Sequence, residues 1–289
     1  MTSGSTPTAD CAYTLHMAQN NANQETQAAS IDRFLIWGLA FREPALPLAR
    51  FWLESLLQIG KWKHDILLLG DEIVADLSVP GLRTVNVVES IERRYNFPRR
   101  QWTHLAFNNF KSQVLYFTDV SAYDYILYLD IDILVNSDRL EDLIRSKWRK
   151  GLIAVQRDCI PLPKRRFRAL AKLGMPDIAE RVRWARQPIC AGMMGFPTNC
   201  VGLSALRDYH DACIQMRFSW SDQAKLAALL YRKYQGAWEF LGDTAFGSRI
   251  APPYRETLVH FTGPRKVLIE NYFRSQFSRM GGKEEMRGT

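Results

Sequence analysis

The chain has few cysteines and no pattern among them. Cys11, Cys159, Cys190, Cys200 and Cys213 are odd in number and include no Cys-x-x-Cys pair. That excludes a zinc ribbon or a disulfide framework as a reading and suits a reducing cytosol. No apolar run approaches the roughly 18–20 residues that a membrane-spanning helix needs. Residues 1–30 lack the basic and apolar regions of a secretory signal; rich in Ser, Thr, Asn and Gln, they read as a flexible lead-in. Acidic charge is scarce between residues 145 and 187, where 13 Lys or Arg meet three acids, a local net charge of +10. The whole chain carries only +8, so the remainder is close to neutral. Such a distribution argues against a nucleic-acid partner. It leaves either one basic face meeting an anionic partner or a solvated surface.

What is present is apolar content in short blocks. With 47% hydrophobic residues over 289 positions, the chain can bury a sizeable core. "RFLIWGLAF" (33–41) is a continuous apolar run suited to a strand buried on both faces. Further strands are expected at 65–71, 82–90, 125–136, 152–158, 189–196 and 257–261. Helices are expected at about 44–59, 103–118, 198–217 and 221–235. Alternating strands and helices point to a layered α/β domain. Without a repeat or a clean linker, one domain over 31–289 is the economical division, with a basic insertion at about 145–187.

The stretch "YILYLDIDILVN" (125–136) sets Asp130 and Asp132 at the end of an apolar strand. In open α/β sheets the C-terminal strand edge is where ligands bind. Side chains at i and i+2 of an extended chain share a side, about 6.5–7 Å apart along the strand. Both carboxylates can then reach one hard cation, Mn²⁺ or Mg²⁺. The alternative is a pair of turn and capping residues ahead of a helix near Ser137.

Three other segments bear on this choice. "HFTGPRK" (260–266) follows an expected strand, putting His260 at a second strand terminus. Gly263 there permits close backbone approach, and Arg265 and Lys266 bring positive charge. Two carboxylates with a cation and flanking lysines describe a diphosphate site. Lys111, in the helix before the acidic strand, either faces the phosphates or lies exposed. In "WSDQAKL", Ser221 or Asp222 is an N-cap, or Asp222 and Gln223 point at a sugar ring.

Taken in order, these segments resemble the GT-A-fold retaining glycosyltransferases of the glycogenin and bacterial lipopolysaccharide galactosyltransferase type, family 8. "YDYILYLDIDILV" is similar to the family's strand ending in Asp-x-Asp, and "CAGMMGF" to its Asn-Ala-Gly-hydrophobic strand. "DQAKLAAL" resembles its Asp-Gln-x-x-Leu-Asn helix start, and "HFTGPRK" has the spacing of its His-Phe-x-Gly-x-x-Lys. The resemblance implies a Rossmann-like mixed sheet flanked by helices, and hexose transfer from a nucleotide-sugar, most simply a UDP-sugar. Asp130, Asp132 and His260 would hold Mn²⁺ or Mg²⁺. Lys111, Lys266 and Gly263 would serve the diphosphate, and Ala191, Gly192 and Asp222 the donor sugar. Gln223 would stand nearest the anomeric carbon. Cys190 stands where the family usually has Asn, and "GLAFREP" lacks the Asn/Asp-x-x-Tyr pattern that cradles uridine. Val267-Leu268 replace the usual Pro-Trp after the lysine.

The basic segment implies a glycan, lipid-linked or otherwise anionic acceptor. The C-terminal "ENYFRSQFSRMGGKEEMRGT" either lies on an anionic membrane through Tyr272, Phe273 and Phe277 or packs those rings on the domain. The expected location is the cytoplasm, with peripheral contact at the inner membrane face. Two other classes compete. One is a haloacid-dehalogenase-type phosphatase, whose later Gly-Asp element "LGDTAFG" (241–247) mimics. The other is a non-catalytic nucleotide-sugar-binding protein.

Overall fold

All seven residues of Phe34–Ala40 (β1) are buried, as a run without polar alternation requires. The computed structural model describes residues 32–158, 188–219, 221–247, 252–262, 266 and 268–279. The lead-in at 1–31 and the segment 159–187 lie outside the described residues. β1 pairs in parallel with β2 (Asp65–Gly70) on one side and β4 (Tyr125–Leu129) on the other, so that Trp37 stands opposite both Leu67 and Tyr128. β3 (Leu82–Asn86) extends the parallel half beyond β2. Past β4 the direction reverses. β7 (Ile189–Pro197) runs antiparallel to both β4 and β6 (Ile153–Arg157), and β8 (Trp238–Phe240) lies parallel to β6. The resulting mixed seven-stranded sheet has the order β3-β2-β1-β4-β7-β6-β8. A smaller sheet joins β5 (Ile133–Val135) to β10 (Leu258–His260) and β9 (Thr244–Phe246), in the order β5-β10-β9.

Strand alternation sends side chains to two cores, one on each face of the large sheet. Leu35, Trp37, Ile126 and Tyr128 pack with Leu206 and Tyr209 of α6 (Cys200–Gln215) and Leu226 and Leu230 of α7 (Asp222–Arg232). Phe34, Ile36, Leu127 and Leu129 pack with Trp52 and Leu53 of α1 (Leu46–Glu54) and Ile144 of α5 (Leu140–Lys150). At about 1.5–3 kcal/mol per buried large side chain, these two layers dominate the fold's stability. A third cluster joins Leu134 and Val259 to Ile269, Tyr272 and Phe273 of α8 (Ile269–Arg279).

Three expected elements are redrawn. The strand expected over 82–90 ends at Asn86, whose side-chain oxygen accepts from the Val88 N–H and starts α2 (Val88–Tyr95). The helix expected over 103–118 divides into α3 (His104–Asn109), a 3₁₀ turn at Phe110–Gln113, and α4 (Val114–Phe117). All four residues of that turn are buried, including Lys111, which an uninterrupted amphipathic helix would not allow. The strand expected over 125–136 breaks into β4 and β5 at a turn containing both aspartates.

Candidate metal centre

The two acidic residues converge through a turn between the sheets. Asp130 donates its N–H to the Gly192 carbonyl at 2.8 Å, which keeps it on the edge of the large sheet. The Ile133 N–H then returns to the Asp130 carbonyl at 2.9 Å and closes the turn. β5 next pairs antiparallel with β10, placing Ile133 opposite His260, and the Phe261 N–H reaches the Asp132 carbonyl at 2.9 Å. One oxygen of each carboxylate and one nitrogen of His260 consequently lie within 4.8 Å of one another.

Asp132 and His260 are 5% and 4% exposed. His260 Nε2 faces Asp132 Oδ1 at 3.3 Å, and Lys266 Nζ reaches Asp132 Oδ2 at 2.7 Å from a half-exposed position. Burial would raise the Asp132 pKa, but His260 and Lys266 override it and hold the carboxyl well below the usual range. Burial would likewise lower His260, yet the facing carboxylate pushes the imidazole well above its ordinary value. Asp130 moves the other way: burial, with the Asp132 charge adding to it, raises its pKa against the pull of Lys111. Asp132 Oδ1 is buried and receives no hydrogen bond among the described residues. An orphaned carboxylate oxygen facing an imidazole nitrogen, with a second carboxylate alongside, fits a hard divalent cation.

Behind this triad lies a second layer. Lys111 is 2% exposed, and its ammonium contacts Asp130 Oδ1 at 3.3 Å, Asp222 Oδ2 at 2.8 Å and the Ala191 carbonyl at 2.8 Å. Burial would lower the Lys111 pKa, but the two carboxylates reverse that and keep it protonated. The Tyr128 hydroxyl also donates to Asp130 Oδ1. A register break between Val155 and Gln156 makes this possible. β6 residue Val155 stands opposite Met194, whereas Gln156 stands opposite Cys190, leaving residues 191–193 bulged from the β6 side. The bulge frees the Ala191 carbonyl for Lys111. It also brings Gly192 so close that an added Cβ would lie 2.6 Å from His260 Cε1 and 3.0 Å from Asp130 Oδ2.

The structure thus places Asp130, Asp132, His260 and Lys266 together, and Lys111, Ala191, Gly192 and Asp222 immediately behind them. Gln223, 8% exposed, donates its amide to Asp158 at the end of β6. Gly263 lies outside the described residues. Lys111 does not face an open cleft; it links Asp130 to Asp222. Gln156, which the sequence reading passed over, accepts at Oε1 from the His260 ring, 2.9 Å from Nδ1. Its one sequence signal is a polar residue inside the apolar run "LIAVQ". Asp243, the residue of the phosphatase-like "LGDTAFG", bonds Thr257 and lies 3.2 Å from Arg139, away from the Asp130–Asp132 pair. Part of the basic excess is internally neutralised: Lys147 and Lys150 pair with Glu239, and Arg145 with Glu141 and Asp32. Tyr272 and Phe273 are 8% and 3% exposed and pack beneath the small sheet. No helix among the described residues is long and apolar enough to cross a membrane.

No family model matches the sequence, and no curated protein matches it. Solved structures do. The galactosyltransferase LgtC, in complex with donor and acceptor sugar analogs, superposes with a TM-score of 0.55 at 14% identity, over 85% of this chain and 95% of that one. Mouse xyloside xylosyltransferase 1 gives 0.54 at 11% identity, over 82% and 99%. The bifunctional glycosyltransferase WbbM gives 0.55 at 12% identity, over 92% of this chain and 56% of that one. At these identities the similarity speaks for architecture: the chain has the GT-A fold found in these glycosyltransferases.

Proposed function

We propose that the chain is a metal-dependent retaining glycosyltransferase that moves a hexose from a nucleotide-sugar, most simply UDP-hexose, to an acceptor. The observation that carries this reading is the convergence of Asp130, Asp132 and His260 at the C-terminal edge of β4, with the Asp132 Oδ1 atom left without a hydrogen bond. Asp130, Asp132 and His260 would hold Mn²⁺ or Mg²⁺. When bound, the cation neutralises diphosphate oxygens and stabilises the leaving group.

The remaining roles belong to this chain's own side chains. Lys266, half-exposed on Asp132, swings to the diphosphate and supplies a mobile positive charge. Lys111 acts through Asp130 and Asp222, fixing both carboxylates from behind. Asp222 and Gln223, at the first turn of α7, face the sugar together with the Ala191–Gly192 backbone, and Gln223 stands nearest the anomeric carbon. Cys190 stands where such enzymes usually have Asn and takes one hydrogen-bonding group from the sugar site. The acceptor is a glycan, lipid-linked or anionic, met by the basic segment.

The test is donor turnover. A panel of nucleotide-sugars is incubated with and without Mn²⁺, and release of the nucleoside diphosphate is measured. Metal-dependent hydrolysis of one hexose donor, abolished in Asp132→Asn with circular dichroism unchanged, is expected. Full activity in that variant, or phosphatase activity without donor turnover, overturns the reading.

A further inference from the structure

Gln156 is fully buried on β6, and its side chain is aimed at the inner edge of the His260 ring rather than at solvent. Gln156 Oε1 lies 2.9 Å from His260 Nδ1, and the Gln156 amide nitrogen has no hydrogen-bond partner among the described residues. An acceptor at that distance requires the proton of a neutral imidazole to sit on Nδ1. Once a cation takes the place of the Nε2 proton, the Nε2 lone pair points away from Gln156, to the side where Asp132 Oδ1 lies at 3.3 Å. Two further contacts fix the ring plane: Phe246 stacks on it with centroids 5.2 Å apart at 29°, and Cys190 Sγ lies 4.0 Å from Nδ1. Gln156 reaches this place because the register break sets it opposite Cys190 rather than Met193.

We infer that Gln156 is a positioning residue of the metal centre: it selects the His260 tautomer whose Nε2 can ligate a divalent cation and holds the ring toward Asp132. This rests on the metal reading above. A ligating histidine whose other nitrogen donates to an oxygen acceptor gains both orientation and basicity, and removing such an acceptor typically costs about 10–100-fold in metal affinity. Gln156 is fully buried behind the His260 ring, so its effect passes through His260.

The experiment titrates the full chain, stripped of metal, with Mn²⁺ alone. Binding is followed by loss of the free-ion electron paramagnetic resonance signal. Gln156→Leu removes the acceptor at similar volume and is expected to weaken Mn²⁺ binding by about 10–100-fold. Gln156→Glu restores an acceptor oxygen and is expected to bind within a few-fold of wild type. Melting temperatures of all three proteins are recorded alongside, and nitrogen chemical shifts of His260 in the Mg²⁺-loaded protein report the tautomer. Equal Mn²⁺ affinity in wild type and Gln156→Leu, with only a lower melting temperature in the variant, overturns the positioning role and leaves the metal site standing. Equal weakening in Gln156→Leu and Gln156→Glu also overturns it, since acceptor chemistry would then be irrelevant. Absence of Mn²⁺ binding in wild type overturns the metal reading and this inference with it.

Discussion

Lys111 bonds Asp222 at 2.8 Å and thereby ties the first turn of α7 to the turn that carries Asp130, which the same ammonium meets at 3.3 Å. A buried cation shared by two carboxylates couples α7 to the turn between β4 and β5. Neither aspartate can move without disturbing the other. Lys111→Met would leave the buried Asp222 carboxylate and the partly buried Asp130 carboxylate without their shared cation. We expect a stability loss of about 3–5 kcal/mol in urea unfolding. The double variant Lys111→Met/Asp222→Asn should recover part of that loss, and strict additivity of the two substitutions would show that the bridge is inert.

Gly192 allows the triad to close. In Gly192→Ala the new methyl would sit 2.6 Å from His260 Cε1, a ring held by Phe246 and Gln156, and 3.0 Å from Asp130 Oδ2. The expected outcome is an overpacking cost of about 1–3 kcal/mol in thermal unfolding, with clear loss of Mn²⁺ affinity in the same paramagnetic titration. Wild-type affinity in this variant would mean that the triad need not be so compact.

His210, on α6, is expected to contribute to acid stability. It is 2% exposed and contacts Ser112, Tyr95 and Tyr116, and burial lowers its pKa to about 4. A histidine depressed on folding contributes fully above its unfolded pKa of about 6.5, and the contribution is lost as pH falls toward 4. Over that window its share of the lost stability is on the order of 3 kcal/mol. Unfolding measured at pH 7 and pH 4.5 should show a markedly shallower pH dependence in His210→Asn than in wild type.

The C-terminal aromatics offer a direct comparison of core against membrane. Phe273 is 3% exposed and its ring centroid stands 5.5 Å from that of Phe51 on α1. Phe273→Ala should cost about 3–5 kcal/mol in chemical unfolding and leave co-sedimentation with anionic vesicles unchanged. Loss of sedimentation at unchanged stability would assign the ring to the membrane instead.

Residues of opposite fate show where local pattern stops being informative. "FLIWGLA" suits a central strand, because every residue is apolar or small and such a strand is covered on both faces, as β1 is. "YILYL" is buried for the same reason, which put Asp130 at the C-terminal edge of the sheet. Val88 and Glu89 have strand-like neighbours but turn helical, since the Asn86 side chain captures the Val88 N–H. β8 and β9, "WEF" and "TAF", have no counterpart among the expected strands.

The sequence by itself determined the alternating α/β organisation, the edge on which the carboxylates emerge, and which residue types could meet a cation and a diphosphate. Only the tertiary structure decided how they meet. Asp130 and Asp132 converge through a turn between two sheets, and His260 arrives opposite Ile133 by antiparallel pairing across a long sequence separation. Lys111 reads in sequence as a helical lysine, yet tertiary contacts bury it between two aspartates. Gln156 has no motif at all; a register break in β7 aims it at His260. The physical reason is common to all four. Local pattern encodes which face a residue shows to water, whereas the partner of a buried polar group is fixed by pairing between distant segments, which no local period records.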